Sequence, residues 1–528
     1  MMYSEQHNVC LYTRGEITNA AFAVQGAKPV GDYLAVPCTM LSMSQMARLR
    51  LPAMSPILRE YDWPSNKAMV KEPFLHQKVT ASFMTLNPRN FNLNDMGTGK
   101  TLSTLWAFDY LKRRGELHKA LVITPRSTMK RVWEDEIRKH FLGRLTSTIL
   151  HGDAKTRLER LNENVDVYII NHDGIGVGKG RDKFGRLQAG EIANILASRK
   201  DIDLVIIDEL AVFRTSSAQR YKMLKFICKD KQYVWGLTGG PTPNAPTDAY
   251  AQAKIIRQDY NESFIQMRDK TMTKINDFVW KPRKDAPDHV ARVLSPSIRY
   301  SREQCIDLPP FTTSHLEVEL SPGQKKAYEE LKKTLRTQLE NGQISAINEG
   351  TLRLKLIQVA LGAVYGGDKQ VSKVDCQPRL NVLREIIEST DGKLLVFTPL
   401  VSVTEMVEGE VRSWGYSVER VNGSVSQKKR DDIFLKFEQQ ADPRIIVADP
   451  GTMAHGLTLV AAATIVWYGA TDNHETYDQA NARIRRPGQT KSMHVMTLGS
   501  TPVERAIYKR LQDKEAMQGA ILNLIKEN

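Results

Sequence analysis

The sequence predicts an α/β fold built as two parallel-sheet lobes, with a helical insert and a small N-terminal accessory domain. Three observations carry this expectation. Apolar, β-branched runs at residues 121–124, 165–170, 204–207 and 233–237 alternate with amphipathic helical stretches, and near-continuous apolar strands between helices mark a parallel sheet covered on both faces. A second alternating series follows at 394–398, 417–421, 444–448, 464–468 and 494–498. Between the two series the chain turns basic and helix-prone. Its 528 residues suffice for about three to four domains of ordinary size.

Residues 1–70 hold short β-like runs at 9–13, 21–25 and 33–38, then a Met-rich stretch and the proline-punctuated segment from Trp63-Pro64 to Pro73, and read as the accessory domain with its linker. Residues 71–260 form the first lobe. Residues 261–372 form the insert, in which Ser321-Pro322-Gly323-Gln324 reads as a capping box with Pro at the first helical position. Tyr328, Leu331, Leu335 and Leu339 then recur at helical spacing. Residues 373–528 form the second lobe, closing on a helix capped by Thr501-Pro502-Val503-Glu504. No internal repeat or low-complexity tract interrupts this plan.

With 41% apolar and 25% charged residues the composition is that of a folded globular enzyme. The five cysteines, Cys10, Cys38, Cys228, Cys305 and Cys376, lie far apart with no CxxC spacing. That argues against a zinc ribbon or a disulfide framework and points to a reducing compartment, the cytoplasm. The longest apolar run, near 459–470, falls short of the roughly 18 to 20 residues of a bilayer span, and residues 1–9 carry no signal-peptide stretch. No membrane partner is expected. Lys and Arg number 74 against 60 Asp and Glu, a net charge of +14, which points to a polyanionic partner such as nucleic acid.

Asn94-Asp95-Met96-Gly97-Thr98-Gly99-Lys100-Thr101 opens an amphipathic helix. Glycines there let backbone N–H groups close around phosphate oxygens, the helix N-terminus favours an anion, Lys100 can reach the β- and γ-phosphates and Thr101 can ligate Mg²⁺. The strict pattern has Gly where this chain has Asn94, so the match is to the shorter GxGK[ST] form. Leu204-Val205-Ile206-Ile207-Asp208-Glu209 is an apolar strand ending in two carboxylates, Asp208 to hold Mg²⁺ and Glu209 to orient or deprotonate the attacking water. A nucleoside triphosphate with Mg²⁺ is the ligand these residues imply. In residues 479–489, Gln479, Arg483 and Arg486 fall at i, i+4 and i+7 and would share a helix face. Two guanidiniums there could stabilise a transferring phosphoryl group as arginine fingers; the plainer reading is a solvated basic helix.

Together these motifs resemble a superfamily 2 helicase of the Swi2/Snf2 group, in the style of compact phage-encoded members, over roughly residues 74–512. Phe74 to Gln77 resembles the adenine-contacting glutamine motif, and Asp95 to Thr101 motif I. Thr124-Pro125-Arg126-Ser127 with Trp133 and Glu136 resembles motif Ia, Asp208-Glu209 motif II, and Leu237-Thr238-Gly239-Gly240-Pro241-Thr242-Pro243-Asn244 motif III. Leu308-Pro309-Pro310 with Leu320 to Gln324 is similar to the family's entry into its helical insert. Leu395-Val396-Phe397 resembles motif IV, Val421-Asn422-Gly423-Ser424 with Arg430 the next block, Ala454-His455-Gly456-Leu457-Thr458-Leu459 motif V, and residues 479–489 motif VI. The order and spacing of the motifs carry the resemblance. Two positions depart from it: Ala211 stands where many relatives carry histidine, and Gly240 where a second threonine is usual.

The resemblance implies two RecA-like lobes and an ATP-dependent DNA translocase or helicase that remodels branched or protein-bound DNA, in phage replication or recombination. It assigns Gln77, Gly97, Thr98, Gly99, Lys100, Thr101 and Gly456 to ATP, and Lys100, Asp208, Glu209, Gln479, Arg483 and Arg486 to catalysis. Thr238 and Gly239 would couple nucleotide to movement, and Arg126, Ser127, Asn171, His172, Thr398 and Thr458 would contact DNA phosphates. A monomer in the cytoplasm, that of the host if the chain is phage-encoded, fits this reading. A nucleotide-gated clamp and a strand-separating helicase stand as the alternatives. The glycine-rich segment 174–190, with Lys179, Arg181, Lys183 and Arg186, is either a mobile DNA-touching loop or a solvated surface loop. Trp280-Lys281-Pro282-Arg283-Lys284 either stacks on a base or anchors the insert.

Overall fold

The computed structural model describes residues 1–64, 72–177, 190–276, 279–305, 307–340, 346–365, 371–453 and 458–527. The chain divides into two compact units, residues 1–306 with 517–528, and residues 307–516.

The first unit is built on a seven-stranded parallel sheet in the order Ser297–Ile298, Arg89–Asn92, Tyr233–Leu237, Ile202–Asp208, Lys119–Thr124, Val167–Asn171, Ser147–Leu150. Its central strands are apolar along their length because both faces are covered. Val205, Ile207, Leu121 and Ile123 face a core with Ile192, Leu224 and Ile256, while Leu204, Ile206, Ala120 and Val122 face one with Leu105, Phe108 and Trp133. Register aligns Asn92, Leu237 and Asp208 along one edge, and Thr124 pairs with Asn171. All are strand C-termini, the edge at which open parallel sheets bind ligands.

Residues 1–64 carry an antiparallel sheet in the order Met2–Ser4, Val9–Thr13, Tyr33–Pro37, Lys28–Val30, followed by the helix Met40–Arg48. The strand expected at 21–25 does not form. A 3-10 turn occupies Asn19–Ala23 instead, burying only Ala21 and leaving Phe22 exposed, so the apolar run never meets a sheet neighbour. Cys10, Tyr12, Val36, Met43 and Met46 pack into the same cluster as Met84, Trp106 and Phe108 of the parallel-sheet core.

The second unit holds a six-stranded parallel sheet in the order Phe311–Glu317, Met493–Gly499, Ala462–Trp467, Lys393–Phe397, Ile445–Ala448, Val418–Val421. The helices Pro322–Glu340 and Ala346–Leu361 and the hairpin of Ala363–Tyr365 with Val371–Lys373 belong to this unit. The capping box at Ser321 forms as expected: the Ser321 N–H donates to Gln324 Oε1 at 3.1 Å and the Gln324 N–H to Ser321 Oγ at 3.1 Å. Among the described residues no helix is long and apolar enough to cross a membrane.

Candidate active site

In the first unit the phosphate loop leaves the strand Arg89–Asn92 and turns into the helix Lys100–Arg113. Gly97 and Gly99 both sit at φ +85°, a left-handed conformation that a side chain would strain. A Cβ on Gly99 would also overlap Gln77 Nε2. Gln77 is buried against the loop and donates to Thr98 O at 3.2 Å, while His76 Nε2 donates to the same carbonyl at 2.9 Å. Thr98 closes the turn with its hydroxyl on Asp95 O at 2.8 Å.

The Lys100 ammonium donates to Asn94 O at 2.9 Å and Asp95 O at 3.1 Å. Burial lowers its pKa, opposed by the nearby carboxylates of Glu209, Asp208 and Asp95. A half-buried cation held by carbonyls inside a glycine turn, facing carboxylates, fits a polyphosphate with a divalent ion. Asp208 ends its strand with Oδ2 accepting from Thr124 Oγ1 at 2.8 Å and Trp133 Nε1 at 3.0 Å. Glu209, the next residue, sits at φ +54°, an uncommon backbone conformation of the sort that collects at functional sites.

A strut that the sequence did not disclose holds the loop from the other side. The strand Ser297–Ile298 pairs with Arg89–Asn92, and the residues after it grip the loop: Asp95 N–H donates to Tyr300 O at 3.0 Å, and Arg302 N–H to Asp95 Oδ2 at 2.9 Å. Arg302 Nε reaches Met96 O at 3.2 Å, and Arg299 pairs with Asp95 Oδ1 at 2.6 Å while donating to Leu93 O at 2.6 Å. These arginines lie some 200 residues beyond the loop, in a segment whose only sequence signal is cationic residues near a short apolar run.

Thr238 follows the strand Tyr233–Leu237, is buried, and receives Gly240 N–H at 3.3 Å. Gly239 lies against the loop, where a Cβ would come 3.4 Å from Met96 N. A Cβ at Gly240 would lie 2.9 Å from Nε2 at the far end of the buried Gln518 side chain. Ala211, the other departure, is buried in the 3-10 turn Leu210–Phe213.

The residues expected at DNA divide by exposure. Arg126 and Ser127 are exposed and Asn171 half-buried. His172 is buried with its ring edge-on to Phe213, donates Nε2–H to Asp208 O at 2.8 Å, and has its pKa lowered by that burial. In the second unit Thr398 is fully buried, 2.6 Å from Thr404 Oγ1, whereas Thr458 is exposed. Gln479 lies near the end of the helix His474–Asn481. That helix stops before Arg483 and Arg486, so the three do not share a helical face as expected. Pro487 and Gly488 at φ +98° follow, and Gln489 folds back to donate to Ala462 O at 2.9 Å and Ile484 O at 3.2 Å. Arg483 is buried and Arg486 half-buried. Gly456 and the basic cluster Lys179, Arg181, Lys183 and Arg186 lie outside the described residues. Trp280 begins a strand paired with Met272–Lys274, and the Arg268 guanidinium sits 4.2 Å from its ring centroid.

Residues 76–379, more than half of the chain, match the SNF2-related domain, and residues 378–488 match the helicase conserved C-terminal domain. Protein p41 of Acyrthosiphon pisum secondary endosymbiont phage 1 is 23% identical, over 82% of this chain and 94% of its own length. The DNA repair and recombination protein RAD54-like of Gallus gallus is 23% identical, over 89% of this chain and 68% of its own. Among solved structures, the Sulfolobus solfataricus SWI2/SNF2 ATPase core in complex with dsDNA is similar with a TM-score of 0.39 and 20% identity, over 89% of this chain and 97% of that one.

Proposed function

This chain belongs to the SNF2-related family of ATP-hydrolysing superfamily 2 enzymes, and from that premise we propose that it is a DNA translocase, driven by hydrolysis along the duplex. Its task in this proposal is to remodel branched or protein-bound DNA in phage replication or recombination. The likeness to a phage protein and to one named for DNA repair and recombination, each over most of this chain, supports that setting.

The observation that carries the reading is the edge of the first sheet, where Lys100, Asp208 and Glu209 come together beside exposed Arg126 and Ser127. Gly97, Thr98, Gly99 and Lys100 would hold the triphosphate, with Lys100 exchanging the Asn94 and Asp95 carbonyls for phosphate oxygens, and Gln77 would meet the base. Thr101 and Asp208 would hold Mg²⁺, which supplies positive charge against the β- and γ-phosphates. Glu209 orients the attacking water and takes its proton. Thr238 and Gly239, against the phosphate loop, pass its state onward. In the family's scheme Arg483 and Arg486 would supply charge to a transferring phosphoryl, Gln479 would serve catalysis and Gly456 would bind ATP. Arg126, Ser127 and Thr458 are the exposed members of the set assigned to DNA. Hydroxyl and cationic groups of this kind grip a backbone without reading sequence.

Lys100→Ala is expected to abolish duplex-stimulated ATPase, and Arg483→Ala to lower kcat by about a thousandfold while ATP still binds. The wild type is expected to displace the third strand of a triplex in the presence of ATP. Duplex-stimulated hydrolysis in Lys100→Ala would overturn the assignment. The small residues Ala211 and Gly240 favour a second reading, a nucleotide-gated clamp. Hydrolysis without triplex displacement would establish that reading instead.

A further inference from the structure

Trp133 is fully buried, and its one polar atom is spent on Asp208 Oδ2 at 3.0 Å. The Thr124 hydroxyl donates to the same oxygen at 2.8 Å and lies 2.6 Å from the Thr128 hydroxyl. Each hydroxyl has one proton. The Thr124 proton goes to Asp208, and Pro125 O takes both the Thr128 hydroxyl at 2.8 Å and the Thr128 N–H at 3.1 Å. The Thr128 and Thr124 hydroxyls therefore lie in a close row between the Pro125 carbonyl and the carboxylate. Thr124 and Thr128 are buried, whereas Arg126 and Ser127 between them are exposed, an outward knuckle pinned at both ends.

Two further features tie this knuckle to Asp208. Trp133 lies in a π-helical turn, Met129–Glu134, directly after the knuckle, and such widened turns recur at functional sites. His172 donates its backbone N–H to Thr124 O at 3.1 Å and its Nε2–H to Asp208 O at 2.8 Å. Asp208 is thus held at its carbonyl and at one carboxylate oxygen by groups from the knuckle and its neighbouring strand. Asp208 is the carboxylate the proposed function gives to the metal.

We infer that Trp133 and Thr124 are positioning residues that make the Arg126-Ser127 knuckle a lever on Asp208, so that a nucleic-acid phosphate seated on the knuckle sets the geometry of the metal carboxylate. The inference rests on the proposed function and adds to it the route by which DNA raises hydrolysis. A buried indole N–H and a hydroxyl that served only to satisfy a carboxylate would be indifferent to DNA.

The test compares wild type with Trp133→Phe, which keeps the ring and removes the N–H, and with Thr124→Val and Thr124→Ser, which remove and keep the hydroxyl. Trp133→Phe and Thr124→Val are expected to raise the Mg²⁺ concentration for half-maximal hydrolysis by about tenfold or more, as loss of partners behind a metal ligand does. They are also expected to bring duplex stimulation toward unity, while nucleotide affinity measured in EDTA stays within twofold; Thr124→Ser restores both. A readout free of turnover is the fluorine resonance of Trp133 in 5-fluorotryptophan-labelled protein, assigned by its absence from Trp133→Phe. It is expected to move when duplex is added without nucleotide, and not to move in Arg126→Ala. If Trp133→Phe does not fold, the threonine pair decides. Thr124→Val with wild-type metal requirement and wild-type duplex stimulation, or a Trp133 resonance indifferent to duplex, overturns the inference alone. A wild type whose hydrolysis ignores duplex overturns the functional reading and the inference with it.

Discussion

Asp95 is the residue on which the phosphate loop hangs. Burial acts to raise its pKa, but the guanidiniums of Arg299 and Arg302, the Arg302 N–H and the Arg299 hydrogen bond outweigh it, holding the carboxyl below the ordinary aspartate value. A group depressed in the folded state stabilises above its unfolded pKa, and that stability is lost as pH falls through its folded pKa. Asp95→Asn is therefore expected to lower stability at neutral pH by about 2 kcal/mol, the scale of a hydrogen bond to a charged group. The gap from wild type should hold down to the ordinary value of 3.8 and close below it. Thermal unfolding of both proteins between pH 3 and pH 8 checks this; a gap that widens on acidification contradicts it. The same residues mark where sequence reading stopped. Lys100, Asp208 and Glu209 announce themselves because their chemistry is local to a motif. Arg299 and Arg302 act across some 200 residues, and nothing in their neighbours names Asp95 as the partner.

Elements were legible where one local rule decides them. The strand Tyr233–Leu237 falls on the expected residues, and the helix at Pro502 carries its expected cap, Glu504 N–H donating to Thr501 Oγ1 at 3.3 Å. The strand Arg89–Asn92 carries no strand pattern in the sequence because it reads Arg-Asn-Phe-Asn. Its buried Asn90 donates to Asn87 O at 2.7 Å, a partner no hydropathy pattern reveals. Three elements of the second unit meet at another pair hidden from sequence. Arg379, in the helix Gln377–Ser389, is fully buried and bonds Glu504 Oε1 at 2.7 Å, Ser500 Oγ at 2.8 Å and the carbonyl of Tyr468. Burying two charges gains little over an apolar pair, but removing one partner strands the other. Arg379→Met is expected to cost about 3–5 kcal/mol in chemical denaturation, and Arg379→Met with Glu504→Gln less than Arg379→Met alone. Additive losses would show that the two side chains act independently.

At the scale of the molecule, the N-terminal sheet is where the expected accessory domain takes on a structural role. Its buried residues do not close a core of their own: Cys10, Tyr12, Val36, Met43 and Met46 share one cluster with Met84, Leu105, Trp106 and Phe108. Polar ties reinforce the seam. Ser55 N–H donates to Ser82 Oγ at 3.0 Å and Tyr61 OH to buried Asp109 at 2.7 Å, beside edge-on contacts of Trp63 with Tyr61 and Trp106. Deleting residues 1–62 would bare the Met84 and Trp106 face and leave Asp109 without the Tyr61 hydroxyl. Each large apolar side chain so exposed forfeits about 1.5–3 kcal/mol, and a few of them exceed the margin by which a domain is stable. The truncated chain is therefore expected to lose ATPase activity and duplex binding together, with a lowered unfolding temperature and increased binding of a hydrophobic dye. A region that only recognised DNA would behave otherwise: its loss would weaken binding to one DNA structure while basal hydrolysis and unfolding temperature held. Measuring hydrolysis without DNA alongside unfolding temperature separates the two, and unchanged values of both would contradict a bracing role.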